Sequence, residues 1–175
     1  EAVALADIDE VSLDLRGLRV TKVGLEGIPV ARFQLKQGKL VIRTKEVIDR
    51  GELFRMTIRY GGRPKPVSNG EDEMGWEELD DGVIVAGQTN GAPSWFPCND
   101  RPANKATYRI AVTAPSAYHV VANGALASRH RGASTTTWVY EQREPMSTYL
   151  ATLHIGRYVS QSVPTSSVPT TAVLP

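Results

Sequence analysis

The chain has 175 residues, a length suited to one globular domain, and 41% hydrophobic residues, enough for a core of ordinary size. Twenty Lys and Arg stand against nineteen Asp and Glu for a formal net charge of +1, so neither a nucleic acid nor an anionic membrane is expected as the main partner. The single cysteine, Cys98, excludes an internal disulfide framework and favours a reducing, cytoplasmic location, and no run approaches the ~18 apolar residues of a membrane helix.

Short alternating runs separated by Gly, Pro, Asn and Asp dominate the chain. Residues 11–15 alternate with period two and stop at Arg16-Gly17; 18–25 and 29–35 follow, then a turn at Gln37-Gly38 and a strand over 39–44. The stretch 41–50 has some helical spacing, but β-branched residues fill its first half. Residues 54–60 alternate cleanly before Gly61-Gly62. Residues 61–81, rich in Gly, Pro and acids, read as a long loop with a short strand near Trp76. Further strands are expected at 82–86, 106–113, 118–121, 125–129, 135–141 and 148–155. The tail from Ser160 to Pro175 lacks period and large residues and reads as extended or disordered. The fold class is therefore all-β, a mainly antiparallel sandwich or twisted multi-sheet domain with little or no helix.

Catalytic chemistry is not evident. No two of His119, His130 and His154 are separated by three or four residues, no His-Glu-x-x-His occurs, and Cys98 has no Cys or His at metal-ligand spacing. His119 and His154 fall in strands and read as structural, and His130 reads as a solvent-facing turn residue. Cys98 reads as a small buried hydrophobe. The acids from Glu71 to Asp81 do not follow the alternate-position pattern of a calcium loop and read as a solvated face. Trp76, Trp95 and Trp138 lie too far apart to suggest a sugar-stacking strip.

The segment from Gln88 to Pro102 is different. It gathers Gly91, which tolerates positive φ, and Pro93, Pro97 and Pro102, which fix φ and donate nothing, beside Asp100, which can accept backbone amides or pair with Arg101 or Lys105. Such a loop is built to hold one shape, either as a structural corner or as a ligand surface, and residue chemistry alone leaves both open.

Trp95-Phe96-Pro97-Cys98-Asn99-Asp100-Arg101-Pro102, followed by Lys105-Ala106-Thr107-Tyr108, resembles the signature of the aminopeptidase N family of zinc metallopeptidases, of the gluzincin type. The resemblance runs on through Val121-Ala122-Asn123-Gly124, Thr137-Trp138, Glu144-Pro145-Met146-Ser147-Thr148-Tyr149-Leu150 and Ile155-Gly156-Arg157-Tyr158. Gln88 with Gly91-Ala92-Pro93 before Trp95 looks like the bacterial branch. The resemblance implies a saddle-shaped β domain over 1–160, truncated at its start, and a tail over 161–175 leading toward a catalytic domain. Zinc, the His-Glu-x-x-His helix and the Gly-x-Met-Glu-Asn loop belong to that other domain, so no catalytic residue, metal ligand or cofactor is expected in these residues. The implied partners are that catalytic domain and peptide N-termini. Alone, the chain is expected to be inactive and to self-associate through an uncovered apolar face.

One family role falls within the chain. Aligned without gaps to Phe96-Pro97-Cys98, the residue that contacts the substrate α-amino group is Gln88, with Gly87 and Asn90 as neighbours. Pro97, Asp100, Pro102 and Lys105 would hold the corner that presents it. The alternatives are a catalytically inactive scaffold of the same family and an independent β-sandwich binding module.

Overall fold

The computed structural model describes residues 1–70, 72–163 and 170–174. Among them the chain forms seventeen strands and two single 3-10 turns, and every strand pairing is antiparallel.

The first half builds two small sheets and a ribbon. Strands β1 (Ala2–Val3), β2 (Ile8–Asp14), β3 (Arg19–Leu25), β4 (Val30–Lys36), β5 (Lys39–Ile48), β6 (Leu53–Phe54) and β7 (Met56–Gly61) arrange as β2-β5-β4, β3-β7 and β1-β6. The 41–50 stretch is thus strand in its larger part. Alternation decides this, because Leu40, Ile42, Thr44 and Ile48 are buried while Lys39, Arg43 and Lys45 are exposed. The expected turn at Gln37-Gly38 joins β4 to β5 with φ of 51° and 75°, the mirror-image turn that matches strand twist. Leu40, Ile42 and Ile48 lose all solvent contact and cluster with Ala4, Leu25 and Phe54, each large aliphatic side chain contributing about 1.5–3 kcal/mol of burial.

The second half comprises β8 (Val67–Asn69), β9 (Asp72–Leu79), β10 (Gly82–Ala86), β11 (Lys105–Pro115), β12 (His119–Ala122), β13 (Ala125–Arg131), β14 (Thr135–Ser147) and β15 (Leu153–Gly156). A five-stranded sheet, β12-β15-β10-β9-β8, faces a three-stranded one, β11-β14-β13. Between them lie Val85, Val120, Ala122 and Leu153 from the first sheet and Ala114, Trp138 and Tyr140 from the second.

Three expectations are corrected. The loop read over 61–81 contains β8 and the eight-residue β9. Its acids masked a strand in which Met74 and Trp76 are half-buried while Glu73 and Glu77 stay in water. The strand read over 148–155 begins instead with a 3-10 turn, Thr148–Leu150, before β15. His130, read as a turn residue, lies inside β13, exposed and opposite Thr137. Within the tail, β16 (Val159–Val163) and β17 (Thr170–Leu174) pair as an antiparallel hairpin; residues 164–169 and Pro175 lie outside the described residues.

Candidate functional site

Gln88 lies in a five-residue connection, Gly87 to Gly91, between β10 and the 3-10 turn Ala92–Ser94. Gln88 and Thr89 are exposed, Asn90 is half-buried, and both flanking glycines are buried. The Gly91 N–H donates to the Gly87 carbonyl at 3.0 Å, closing the base of the loop. Ser94 has no exposed surface. Its hydroxyl donates to the Gly91 carbonyl at 2.6 Å and accepts from the Trp76 N–H at 3.0 Å, tying the loop to β9.

This base has no room for side chains. A Cβ at Gly91 would lie 2.7 Å from the Gly75 nitrogen and 2.8 Å from the Gly87 Cα. Gly75 itself has φ +99°, and a Cβ there would lie 2.5 Å from the Gly91 carbonyl oxygen. Gly87 faces the Tyr149 carbonyl, which a Cβ would approach to 3.0 Å. Thus three backbone segments meet at one point, and Gln88 projects from the only part of the loop left in solvent. The Asn90 Oδ1 is shielded from solvent and has no hydrogen-bond partner.

The signature residues join the two halves. At the end of β2, Asp14 donates its N–H to the Cys98 carbonyl at 2.6 Å and accepts from the Cys98 N–H at 3.0 Å. Arg16 N–H donates to the Pro93 carbonyl at 2.8 Å. The Asp14 carboxylate accepts from the Asp100 N–H at 3.2 Å and pairs with Lys39. On the other side, Thr148 donates its hydroxyl to the Asp100 carboxylate at 2.7 Å, and Ser147 donates to the Pro102 carbonyl at 2.7 Å. Asn123 completes the arrangement: its Nδ2 donates to the Leu150 carbonyl at 3.0 Å, and its Oδ1 accepts from the Thr152 N–H at 2.6 Å. The 3-10 turn holding Tyr149 against Gly87 is therefore pinned from both sides.

Asp100 does not pair with Arg101 or Lys105; those side chains point into solvent, and the Thr148 hydroxyl takes their place. Burial, reinforced by the Asp14 charge, holds the Asp100 carboxyl above its ordinary range against the lowering effect of Thr148. Pro97 is half-buried, while Pro102 and Lys105 are exposed, Lys105 opposite Ser147 where β11 begins. Cys98 is buried, and its surroundings push the thiol far up, through burial first and then the charges of Asp100 and Asp14.

The three histidines stand apart from this region. His119 packs on Trp138 with ring centroids 4.5 Å apart, and burial followed by the Arg129 charge lowers its pKa. Burial likewise lowers His154. Among the described residues no group of three His, Cys, Asp or Glu could hold a metal ion. The sequence reading missed Asp14, Gly75, Ser94 and Thr148. Each meets a partner distant in the chain, such as Asp14 with Asp100, and no local pattern marks that meeting.

The fold and site define an all-β domain that carries a loop exposed at its tip and braced at its base by close backbone contacts. Residues 2–150 match the model of the Peptidase M1 N-terminal domain, and the chain belongs to that family. A probable aminopeptidase 2 of Sulfurisphaera tokodaii is 26% identical over 160 residues, covering 90% of this chain and 20% of that protein. The tricorn protease-interacting factor F2 of Thermoplasma acidophilum is 29% identical over 166 residues, covering 90% and 19%. Among solved structures, a two-domain M1 zinc metallopeptidase bound to L-arginine superposes with a TM-score of 0.86 at 25% identity, covering 96% of this chain and 39% of that one. The Deinococcus radiodurans M1 zinc metallopeptidase bound to a Tyr-Ser-Ala substrate gives 0.84 at 25%, covering 91% and 37%. The chain thus spans about a fifth of the curated relatives it matches.

Proposed function

We propose that this domain serves a zinc aminopeptidase, and that Gln88 binds the free α-amino group of the peptide to be cleaved. The observation that carries the reading is the exposure of Gln88 at the tip of a loop whose base is immobilised by Gly75, Gly87, Gly91 and Ser94. A carboxamide oxygen can accept from an ammonium group without bringing a second charge into the contact. A fixed base pre-organises that acceptor, so little ordering entropy is lost on binding. The likeness to M1 metallopeptidases bound to an amino acid and to a tripeptide supports this reading.

The described residues offer no donor set that fits zinc, so hydrolysis itself is assigned to no residue here. The part given to this chain is recognition: Gln88 holds the amine, Asn90 and Gly87 shape the adjoining wall, and the Asp14–Cys98–Asp100–Thr148 contacts keep the loop in place.

The test is kinetic, in the enzyme that carries this domain. Gln88→Ala should lower kcat/KM on an aminoacyl anilide by about 1–3 kcal/mol in transition-state stabilisation. Unchanged kinetics would reduce Gln88 to a turn residue, and an inactive wild-type protein would favour the scaffold reading.

A further inference from the structure

Strand β4 lies at the edge of its sheet: β5 bonds one side, and no described strand bonds the other. Register places Arg32, Gln34 and Lys36 on one face, opposite Arg43, Val41 and Lys39 of β5. These in turn oppose Glu10, Ser12 and Asp14 of β2. Across the sheet, two rows therefore run acid, base, base: Glu10–Arg43–Arg32 and Asp14–Lys39–Lys36. Arg43 pairs with Glu10 at 2.9 Å, and Lys39 pairs with Asp14. Arg32 and Lys36 make no ion pair among the described residues.

Like charges directly opposite one another weaken a sheet. Here that occurs twice on one edge of a chain whose net charge is only +1. A shallow concavity of about 460 Å3 lies over this face, lined among others by Arg32, Gln34, Lys36 and Arg43. On the opposite face of the same strand, Phe33 is 38% exposed, and Leu35 packs on the first-half core.

We propose that the free edge of β4 receives an extended acidic segment of a partner protein as a fourth strand. Two carboxylates four residues apart would stand opposite Arg32 and Lys36 and complete each row as acid, base, base, acid. Apolar side chains between them would cover Phe33 and Leu35. Positions i and i+4 of a strand lie about 13 Å apart on one face, which matches the Arg32 to Lys36 separation by construction. A nucleic acid fits less well, because the face carries no aromatic side chain on which a base could stack. A second copy fits less well too, since pairing β4 with β4 would set cation against cation.

The probe is a capped, fluorescein-labelled peptide with the core Glu-Val-Thr-Val-Glu, titrated into the 175-residue chain and followed by anisotropy. Saturable binding is expected. Affinity should fall by about tenfold for an isomer with adjacent glutamates, and likewise for the Arg32→Glu, Lys36→Glu double variant, the scale of two surface ion pairs. A Lys-Val-Thr-Val-Lys peptide should bind that variant. The variant should melt no lower than wild type, because the replaced charges oppose like charges. Equal binding of the two wild-type peptide isomers would overturn the proposal. So would oligothymidine binding through Arg32 and Lys36 without peptide binding, or a concentration-dependent dimer abolished in the double variant.

Discussion

In the half ending near Gly61, the buried centre is mostly aliphatic: Leu40, Ile42 and Ile48 with Leu25, and Phe54 as its one buried aromatic ring among the described residues. In the half from Val67 to Gly156 it is built around Trp138 and Tyr140, with Thr136 and Ser94 also buried. Tyr140 satisfies its hydroxyl by donating to the Val120 carbonyl at 2.6 Å, while the indole N–H groups of Trp76, Trp95 and Trp138 find no partner. The first core is held chiefly by apolar area, with the buried Thr44 hydroxyl donating to the Asp9 and Glu46 carbonyls beside it. The second combines area with directed bonds and close backbone contacts, and the Gln88 loop grows from it.

The largest effects should separate the two cores. Trp138→Ala removes a buried ring that packs on His119 and lies 4.2 Å beneath the Arg129 guanidinium, and should cost about 3–5 kcal/mol in urea unfolding. Ile42→Ala should cost about 2–5 kcal/mol in the first core. If the Asp14–Cys98 junction makes the halves one cooperative unit, both variants should show a single transition by far-UV circular dichroism and Trp fluorescence alike. Two separated transitions would show that the halves unfold independently.

A smaller effect is expected at the loop base. Gly91→Ala should destabilise by about 1–3 kcal/mol, because its Cβ would press on the backbone of Gly75 and Gly87. In the enzyme it should also depress kcat/KM, whereas Ile42→Ala should leave that ratio nearly intact below its melting temperature. Equal kinetic losses from both would remove the special standing of the loop base.

The junction should respond to pH. Burial, together with the Asp14 charge, raises the Asp100 carboxyl, so its favourable contribution is complete below the ordinary carboxylate range and lost as pH rises through the raised value. Asp100→Asn retains an acceptor for Thr148. It should match wild type at about pH 3 and gain on it toward neutrality, while Asp100→Ala should be less stable than Asp100→Asn by about 1 kcal/mol at every pH. A wild type that gained on Asp100→Asn with rising pH would reverse the assigned cause. The smallest perturbation is chemical labelling. With its thiol held protonated by burial, Cys98 should resist a disulfide reagent until the junction opens, and rapid native-state labelling would contradict that burial.

Much of the first half is legible because period-two alternation in 11–15, 39–44 and 54–60 is the same signal that buries Leu40 and Ile42. In the second half alternation was obscured at β9, where Gly75 and four acids replace the usual strand formers, although Met74 and Trp76 keep the inward phase. Gln88 was placed by resemblance; nothing local in Gly87-Gln88-Thr89-Asn90-Gly91 shows that its glycines abut Gly75. The Asp14–Asp100 and Asp100–Thr148 contacts span 86 and 48 residues, beyond the reach of any local pattern.

The role proposed for Gln88 is tested most directly by a crystal structure of the full-length protein carrying this domain with a free amino acid bound. The Gln88 side-chain oxygen should lie within about 2.7–3.2 Å of the ligand's α-nitrogen, with the Gly75–Gly91 contact intact. A bound amine satisfied entirely by other groups, with Gln88 turned to solvent, would contradict it.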